Sequence, residues 1–360
     1  MATGTERAGV AGTGRYLPPD IVDNYELFSR PSIQAAFDHE RARGSLRDVD
    51  DVESLSPADV FDRWARQLTG IQRRRFVNPD SGPTSEEMCA EAGRLALEQA
   101  GMPASELDLI IVASLTAADI VPNAACTVAS LLGAPQVGGF VLNTACAGFI
   151  SALAAGDAFI HSGAAENVLV VSGDALSKIT NYSDPTTAVL FADGAGAMVL
   201  TRDRSRGAVL GPAYLSADYA PEHLHLGSKR WLSDEDPEAI LRMGGGPHVL
   251  KQAIQTMVSM ARYAMEGSGV SWDDVDYVIP HQANLRITTG LERQLKLNKG
   301  RVIHTIQNYG NVSASTVPIA LDELLRGEHG PLPDPARIVL TAVGGGYASG
   351  AVVIESRPAG

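Results

Sequence analysis

Cysteine is scarce in this chain: Cys89, Cys126 and Cys146 are the only three in 360 residues. Three thiols cannot all pair, and none shares a metal-binding spacing with another. This excludes a disulfide scaffold and fits a reducing compartment. Cys89 and Cys126 fall in helical patterns and are expected to be core or half-buried. Long apolar runs are also missing. No stretch approaches the ~20 residues that span a bilayer, and the N-terminal stretch lacks a signal peptide's apolar core. The expected setting is therefore cytoplasmic, without a membrane. Positive charge is short as well: 29 Lys and Arg against 42 Asp and Glu leave a net charge of -13. That argues against non-specific nucleic-acid binding. Any acidic partner must dock on a local basic patch. Candidates are Arg73-Arg74-Arg75, Ser228-Lys229-Arg230, and the stretch from Arg286 through Arg293, Lys296, Lys299 and Arg301.

What remains is an ordinary globular composition, 45% hydrophobic and 20% charged. The length suits one large α/β unit or two packed halves. Apolar runs predict strands at 10–16, 107–114, 167–172, 188–201, 277–280, 301–305 and 338–343. Helices are predicted at 84–101, 123–132, 150–166 and 247–266. The first has a capping box in Thr84 and Glu87 and a terminal Gly101; Asn123 is a plausible cap for the second. Glycines in Asp193-Gly194-Ala195-Gly196-Ala197 allow close packing. The charge-rich segment 31–57 breaks the alternation and reads as an inserted, partly helical excursion or lid.

The chain also rhymes with itself. Residues 100–111 and 268–279 both follow a helix, and both place an Asp seven residues after a Gly, at the mouth of an apolar strand. Asp108 and Asp276 are those residues. The rhyme implies a duplicated α/β unit, with halves 1–203 and 204–360 meeting near 203–207.

Chemistry gathers at Cys146. It lies in Asn143-Thr144-Ala145-Cys146-Ala147-Gly148-Phe149, between a buried strand and a helix rich in small residues. At such a corner the helix N-terminus favours a thiolate, and Gly148 permits close approach of a backbone or substrate. A small buried hydrophobe is the competing reading. His281 follows the strand 277–280, at the strand end where doubly wound sheets bind ligands. Asn311 sits in Gly310-Asn311-Val312-Ser313-Ala314, a turn into a helix that Ser313 would cap. Gly344-Gly345-Gly346 follows an apolar strand and lets a backbone N–H point into a site.

These motifs, in this order and spacing, resemble the β-ketoacyl-acyl-carrier-protein synthase III family of thiolase-like condensing enzymes. The residues that carry the likeness are 144–149, 280–287, 310–314 and 344–346, and it extends from Val10 to Ile354. The resemblance implies a five-layered αβαβα fold and a homodimer. It makes Cys146 the acylated nucleophile and His281 and Asn311 the pair that supports decarboxylation. Backbone N–H groups of Cys146 and Gly345 form the oxyanion hole. Trp64 stacks on the adenine of acyl-CoA, and Arg286 contributes to docking of acyl carrier protein. No metal or redox cofactor is implied. The chemistry follows: a thiolate takes an acyl group from a thioester, a malonyl thioester loses carbon dioxide, and the enolate is stabilised by neutral donors.

Departures from the family pattern matter. Leu68 stands where the family has an arginine, and the segment 183–188 lacks a second one. Val121 precedes Pro122 where housekeeping enzymes often carry a bulky aromatic that limits the acyl tunnel from the partner subunit. These changes favour a role in polyketide or other specialised metabolism over housekeeping initiation of fatty-acid synthesis. Two further classes stay open. One is acyl transfer from Cys146 to an alcohol or amine without decarboxylation, although such relatives tend to lose the asparagine. The other is a silent partner subunit, against which the intact Cys146 counts.

Overall fold

The computed structural model describes residues 6–47, 51–134, 136–220, 222–226, 241–244, 246–298 and 300–357. Ten strands form one mixed sheet: β1 (Gly9–Tyr16), β2 (Leu109–Ala113), β3 (Gly138–Leu142), β4 (Asn167–Ala175), β5 (Asp193–Thr201), β6 (Gly207–Val209), β7 (Tyr214–Ala217), β8 (Tyr277–Pro280), β9 (Ala336–Gly344) and β10 (Ala348–Ser356). Their spatial order is β8-β9-β10-β6-β1-β5-β4-β2-β3, with β7 on β10. A common pattern recurs. β2 runs parallel to β4, which is antiparallel to β5. Likewise β8 runs parallel to β9, which is antiparallel to β10. Short β6 bridges the two sets by pairing with both β1 and β10.

The helices that matter are α1 (Pro57–Thr69), α2 (Ser85–Ala100), α3 (Ala124–Leu131), α4 (Gly148–His161), α5 (Gly246–Ser268), α6 (Leu285–Leu295) and α7 (Thr316–Leu325). Apart from that of α1, their apolar faces divide into three cores. Met88 of α2 and Val128 of α3 pack on Ile110 and Val171. Met257 of α5 and Leu291 of α6 pack on Val278 and Val339. Between them, Phe149 and Leu153 of α4 meet Leu321 of α7, Ile111 and Leu340. Every residue of α7 is buried, as a helix enclosed on all sides requires. Two outer helical layers, a central one and the sheet faces between them make the five-layered αβαβα order. Gly196 lets β5 meet α7, since a Cβ there would lie 2.7 Å from the Pro318 ring. Among the described residues, no helix is long and apolar enough to cross a membrane.

Local signals acted as their chemistry dictates. Thr84 and Glu87 close a capping box on α2, left-handed Gly101 ends it, and the Asn123 side chain caps α3. The paired aspartates perform one task twice. Asp108 accepts the N–H of Asn167 at 3.0 Å, and Asp276 accepts that of Arg337 at 2.8 Å. Each carboxylate thereby ties its own strand to the start of the parallel neighbour.

Several expectations are corrected. Residues 188–192 are not strand: Asp184 caps a short helix, Pro185–Ala188, and β5 begins at Asp193. Residues 301–305 make only an isolated bridge, Val278 to Val302. There the Gln282 side chain takes the Ile303 carbonyl and the Thr305 N–H, replacing a strand partner. The helix after Cys146 stops at His161, ahead of left-handed Gly163. Cys126 is exposed, whereas Cys89 is buried. Arg74 is fully buried and donates to Asn24 and the Val189 carbonyl, so of the arginine triplet only exposed Arg73 and half-buried Arg75 face solvent. Ser228-Lys229-Arg230 and Lys299 lie outside the described residues.

The excursion is partly helical, with helices Pro31–Ala36 and His39–Ser45. Ile33, Phe37 and Ala42 pack with Phe28 and Phe61 into a separate core. Gln67 of α1 fastens it further. Its side chain donates to the Ser45 carbonyl at 2.8 Å and accepts the Arg47 N–H at 2.9 Å.

Candidate active site

Three connections converge where strands end. β3 stops at Leu142, a 3-10 turn spans Ala145–Ala147, and α4 starts at Gly148. Ala145 has φ +48, a region that side chains disfavour, and the Asn143 side chain accepts its N–H at 3.0 Å. This turn places Cys146 at the head of α4. His281 follows β8, its N–H donating to the Thr341 carbonyl at 2.8 Å. Asn311 follows left-handed Gly310 and is fixed through its backbone, which pairs with Leu190 and Ala192 at 2.9 Å each. β9 ends at Gly344. A Cβ there would lie 2.5 Å from the Cys146 nitrogen, so only glycine lets the two backbones approach.

Cys146, His281, Asn311 and Gly345 together line one cavity of about 180 Å³. The three side-chain residues are all buried, at 6%, 1% and 6% exposure. Burial dominates their electrostatics. It lowers His281 to about 3, so the imidazole is neutral. It pushes the Cys146 thiol up to about 11; the Ser313 hydroxyl acts against it and the Asp174 carboxylate reinforces it. A rise of that size corresponds to about 3 kcal/mol. The N-terminus of α4 offers only ~0.3–2 kcal/mol in return. The resting pair is thus a thiol beside a neutral imidazole, rather than the preformed thiolate expected from the corner alone. The thiol proton leaves during attack.

Neighbours orient each group. Asn311 Oδ1 accepts the Ser313 N–H at 2.9 Å, which leaves the amide NH₂ as the group available to the cavity. His281 Nδ1 lies 2.7 Å from Thr316 Oγ1. Ser313 does not cap α7. It sits at φ +49 in a 3-10 turn, and its hydroxyl donates to Cys146 Sγ at 3.6 Å. Ser313, Thr316 and Gln282 are the contributors that sequence reading missed. Their signal was only proximity to Asn311 and His281, because a hydroxyl's partner depends on the turn that carries it.

A second, larger cavity of about 740 Å³ contains Trp64, Leu68 and Arg286. Trp64 is half-buried, its ring edge-on to Phe37 at 5.1 Å. Arg286, in the first turn of α6, donates to the Gln67 carbonyl at 2.7 Å. Val121 is absent from the lining of the thiol cavity and is 86% exposed in the loop before α3. The structure therefore brings together Cys146, His281, Asn311 and Gly345, sets Trp64 and Arg286 in an adjoining chamber, and leaves Val121 on the surface.

Known proteins resemble this chain in sequence and fold. The family model described as 3-oxoacyl-[acyl-carrier-protein (ACP)] synthase III matches residues 140–218, and its C-terminal counterpart matches 265–356. The β-ketoacyl-[acyl-carrier-protein] synthase III of Roseobacter denitrificans is 37% identical, over 98% of this chain and 99% of its own. That of Aquifex aeolicus is 36% identical, over 96% and 98%. Among solved structures, the priming β-ketosynthase of the R1128 polyketide pathway superposes with a TM-score of 0.83 at 30% identity, covering 99% of this chain and 98% of that one. Identity of this extent, on this fold, shows that the chain belongs to the β-ketoacyl-[acyl-carrier-protein] synthase III family, condensing enzymes of the thiolase superfamily.

Proposed function

We propose that the chain catalyses a decarboxylative Claisen condensation between an acyl group held on Cys146 and a malonyl-type thioester. In the first step Cys146 Sγ bonds to the acyl carbonyl carbon of a donor thioester. The donor's thiol leaves and takes up the proton that Cys146 sheds. In the second, the malonyl thioester loses carbon dioxide, and the electron pair of the broken C–C bond becomes an enolate. Neutral His281 and the Asn311 NH₂ donate to its oxygen as charge develops. The enolate carbon then attacks the acyl-cysteine carbonyl. The N–H groups of Cys146 and Gly345 hold the resulting oxyanion until it collapses, releasing the β-ketoacyl product and the Cys146 thiolate, which takes a proton from solvent. No step needs an external electron acceptor, a metal or another cofactor.

The observation that carries this reading is the Asn311–Ser313 hydrogen bond, which commits Oδ1 and leaves an NH₂ donor in the cavity that Cys146 and His281 share. Acyl transfer to an alcohol or amine has no enolate for that donor to serve. A silent subunit would have no use for the whole set.

The donors are proposed to be acyl-CoA and acyl carrier protein thioesters, with Arg286 contributing to carrier docking. Residues 1–203 and 204–360 are taken as the two halves. A homodimer is proposed from the free edge of β3 and the neighbouring exposed apolar side chains Ile120, Val121, Leu131 and Phe159. Across such an interface Val121 would help wall the partner's acyl site. Leu68, Val121 and the excursion support specialised metabolism; the names of the curated relatives favour housekeeping initiation as the alternative.

Intact-mass measurement tests the chemistry. An acyl thioester should add one acyl mass to the wild type and none to Cys146→Ala, and malonyl thioester should then release a β-ketoacyl product. His281→Ala and Asn311→Ala should still load but fail to decarboxylate, each with a loss of about 10²–10³ in rate. A stable adduct on Cys89 or Cys126 would overturn the reading, as would loading without decarboxylation in the wild type.

A further inference from the structure

The larger cavity is built by the inserted segment, the helix α1 that follows it, Pro185 and Thr186, and the first turn of α6. The inserted segment brings Arg41 and Arg47 to it, and α6 brings Arg286. Asp38 is the single acid in the lining, and its carboxylate already accepts the Arg41 N–H at 3.0 Å. Among the described residues, neither the Arg41 nor the Arg47 side chain has a hydrogen bond or ion pair. Leu68 and Pro185, in the same lining, carry no charge. In a chain of net charge -13, this chamber gathers three guanidinium groups around open space.

Guanidinium groups suit phosphate, which they bind through paired N–H donors. Trp64 adds an aromatic face in the same chamber. The chamber adjoins the cavity of the thiol. Leu68 of its wall accepts a 3.0 Å hydrogen bond from Asn284, and Asn284 lines the cavity of Cys146.

We propose that the inserted segment is a donor-recognition wall in which Arg41 and Arg47 bind the phosphates of a nucleotide that carries the acyl thioester. The proposal rests on the reading that a thioester acylates Cys146, and it adds where the charge that selects the donor comes from. The segment's position is secured by the Gln67 hydrogen bonds and by Phe37 against Trp64, so the two arginines extend from a packed element. No bond is made or broken at this wall; the acyl group leaves the donor only at Cys146.

The test compares two donors of the same acyl group, acyl-CoA and acyl-pantetheine, which lacks the nucleotide. Loading of Cys146 is followed by intact mass in the wild type, in Arg41→Ala/Arg47→Ala and in Arg41→Lys/Arg47→Lys. Both arginines are exposed, so neither variant disturbs the core. The alanine pair should raise the KM for acyl-CoA at least tenfold and leave acyl-pantetheine loading unchanged. The lysine pair should recover part of the loss. Added salt should erode acyl-CoA loading in the wild type but not in the alanine pair, because exposed charges are screened over about 10 Å at 0.1 M. An unchanged KM for acyl-CoA would overturn the proposal. So would an equal loss with both donors. Failure of the wild type to load from either thioester would instead sink the underlying reading of Cys146.

Discussion

His281 Nδ1 lies 2.7 Å from Thr316 Oγ1, and that contact decides which imidazole nitrogen can serve the substrate. The same hydroxyl is 3.1 Å from the Ser313 carbonyl and accepts the Gln282 N–H at 3.2 Å. Donation toward Ser313 would require Nδ1–H and leave Nε2 without a proton. Donation toward Nδ1, the shorter contact, puts the proton on Nε2, where an enolate oxygen can use it. We read Thr316 as the residue that sets this tautomer.

Thr316→Val should therefore slow malonyl decarboxylation by about tenfold to a hundredfold, the range expected when a buried polar group loses its partner. Acyl loading on Cys146 should be nearly untouched, and Thr316→Ser should restore decarboxylation. Single-turnover measurement of the two half-reactions separates these outcomes. Equal loss in both would mean that the substitution only disturbs packing.

Neutral His281 makes a pH prediction. Its folded value, about 3, is far below that of an ordinary imidazole. Decarboxylation should show no step near pH ~6.5, where an exposed histidine titrates. Stability follows with a definite sign. Between pH ~6.5 and ~3 the unfolded chain binds a proton that native His281 refuses, so stability falls as pH drops. Asp174 and Asp193, pushed up to about 6 by burial, act oppositely, since their native protons are lost as pH rises. They are common to wild type and His281→Asn. The Tm difference between these two proteins should therefore move against the wild type as pH falls from about 7 to about 5. A constant difference would show that native His281 titrates like a histidine of the unfolded chain.

The sequence made some of this legible and hid the rest for physical reasons. Asp108 and Asp276 were visible because one local solution, a carboxylate gripping the start of the next strand, was used twice at the same spacing. Cys146, His281 and Asn311 stood out because each sits beside glycine or a strand end, where the backbone itself leaves a pattern. Ser313 looked like a helix cap because serine usually is one. The positive φ that turns it toward the thiol has no local signature. The thiol's raised pKa was hidden too, because burial is a property of the assembled layers whereas the helix terminus is local. Arg74 read as surface for the same reason: only the fold shows that Asn24 and Val189 enclose it.

Ser313 provides a separate test. Its hydroxyl is the largest influence lowering the Cys146 thiol against burial. Ser313→Ala should push the thiol further up and slow loading several-fold at neutral pH. The pH–rate profile of thiol alkylation should shift to higher pH, with a similar plateau once the thiolate forms. An unshifted profile would remove Ser313 from the activation of Cys146.

Gly344 makes the most local prediction. An added Cβ would lie 2.5 Å from the Cys146 nitrogen and 3.0 Å from Ala145 Cβ. Neither neighbour can rotate away, because one is backbone and the other is the branch of a residue already held at positive φ. Gly344→Ala must therefore push the end of β9 away from the cysteine turn. Strain from such overpacking is typically about 1–3 kcal/mol, so the protein should still fold with a lowered Tm. The larger effect should fall on catalysis, because the same shift moves the Gly345 and Cys146 N–H groups apart and spoils the proposed oxyanion hole. Acyl loading and condensation both pass through an oxyanion, so both should drop. Decarboxylation, which leans on His281 and Asn311, should drop less. Loss of decarboxylation with loading intact would place the oxyanion donors elsewhere.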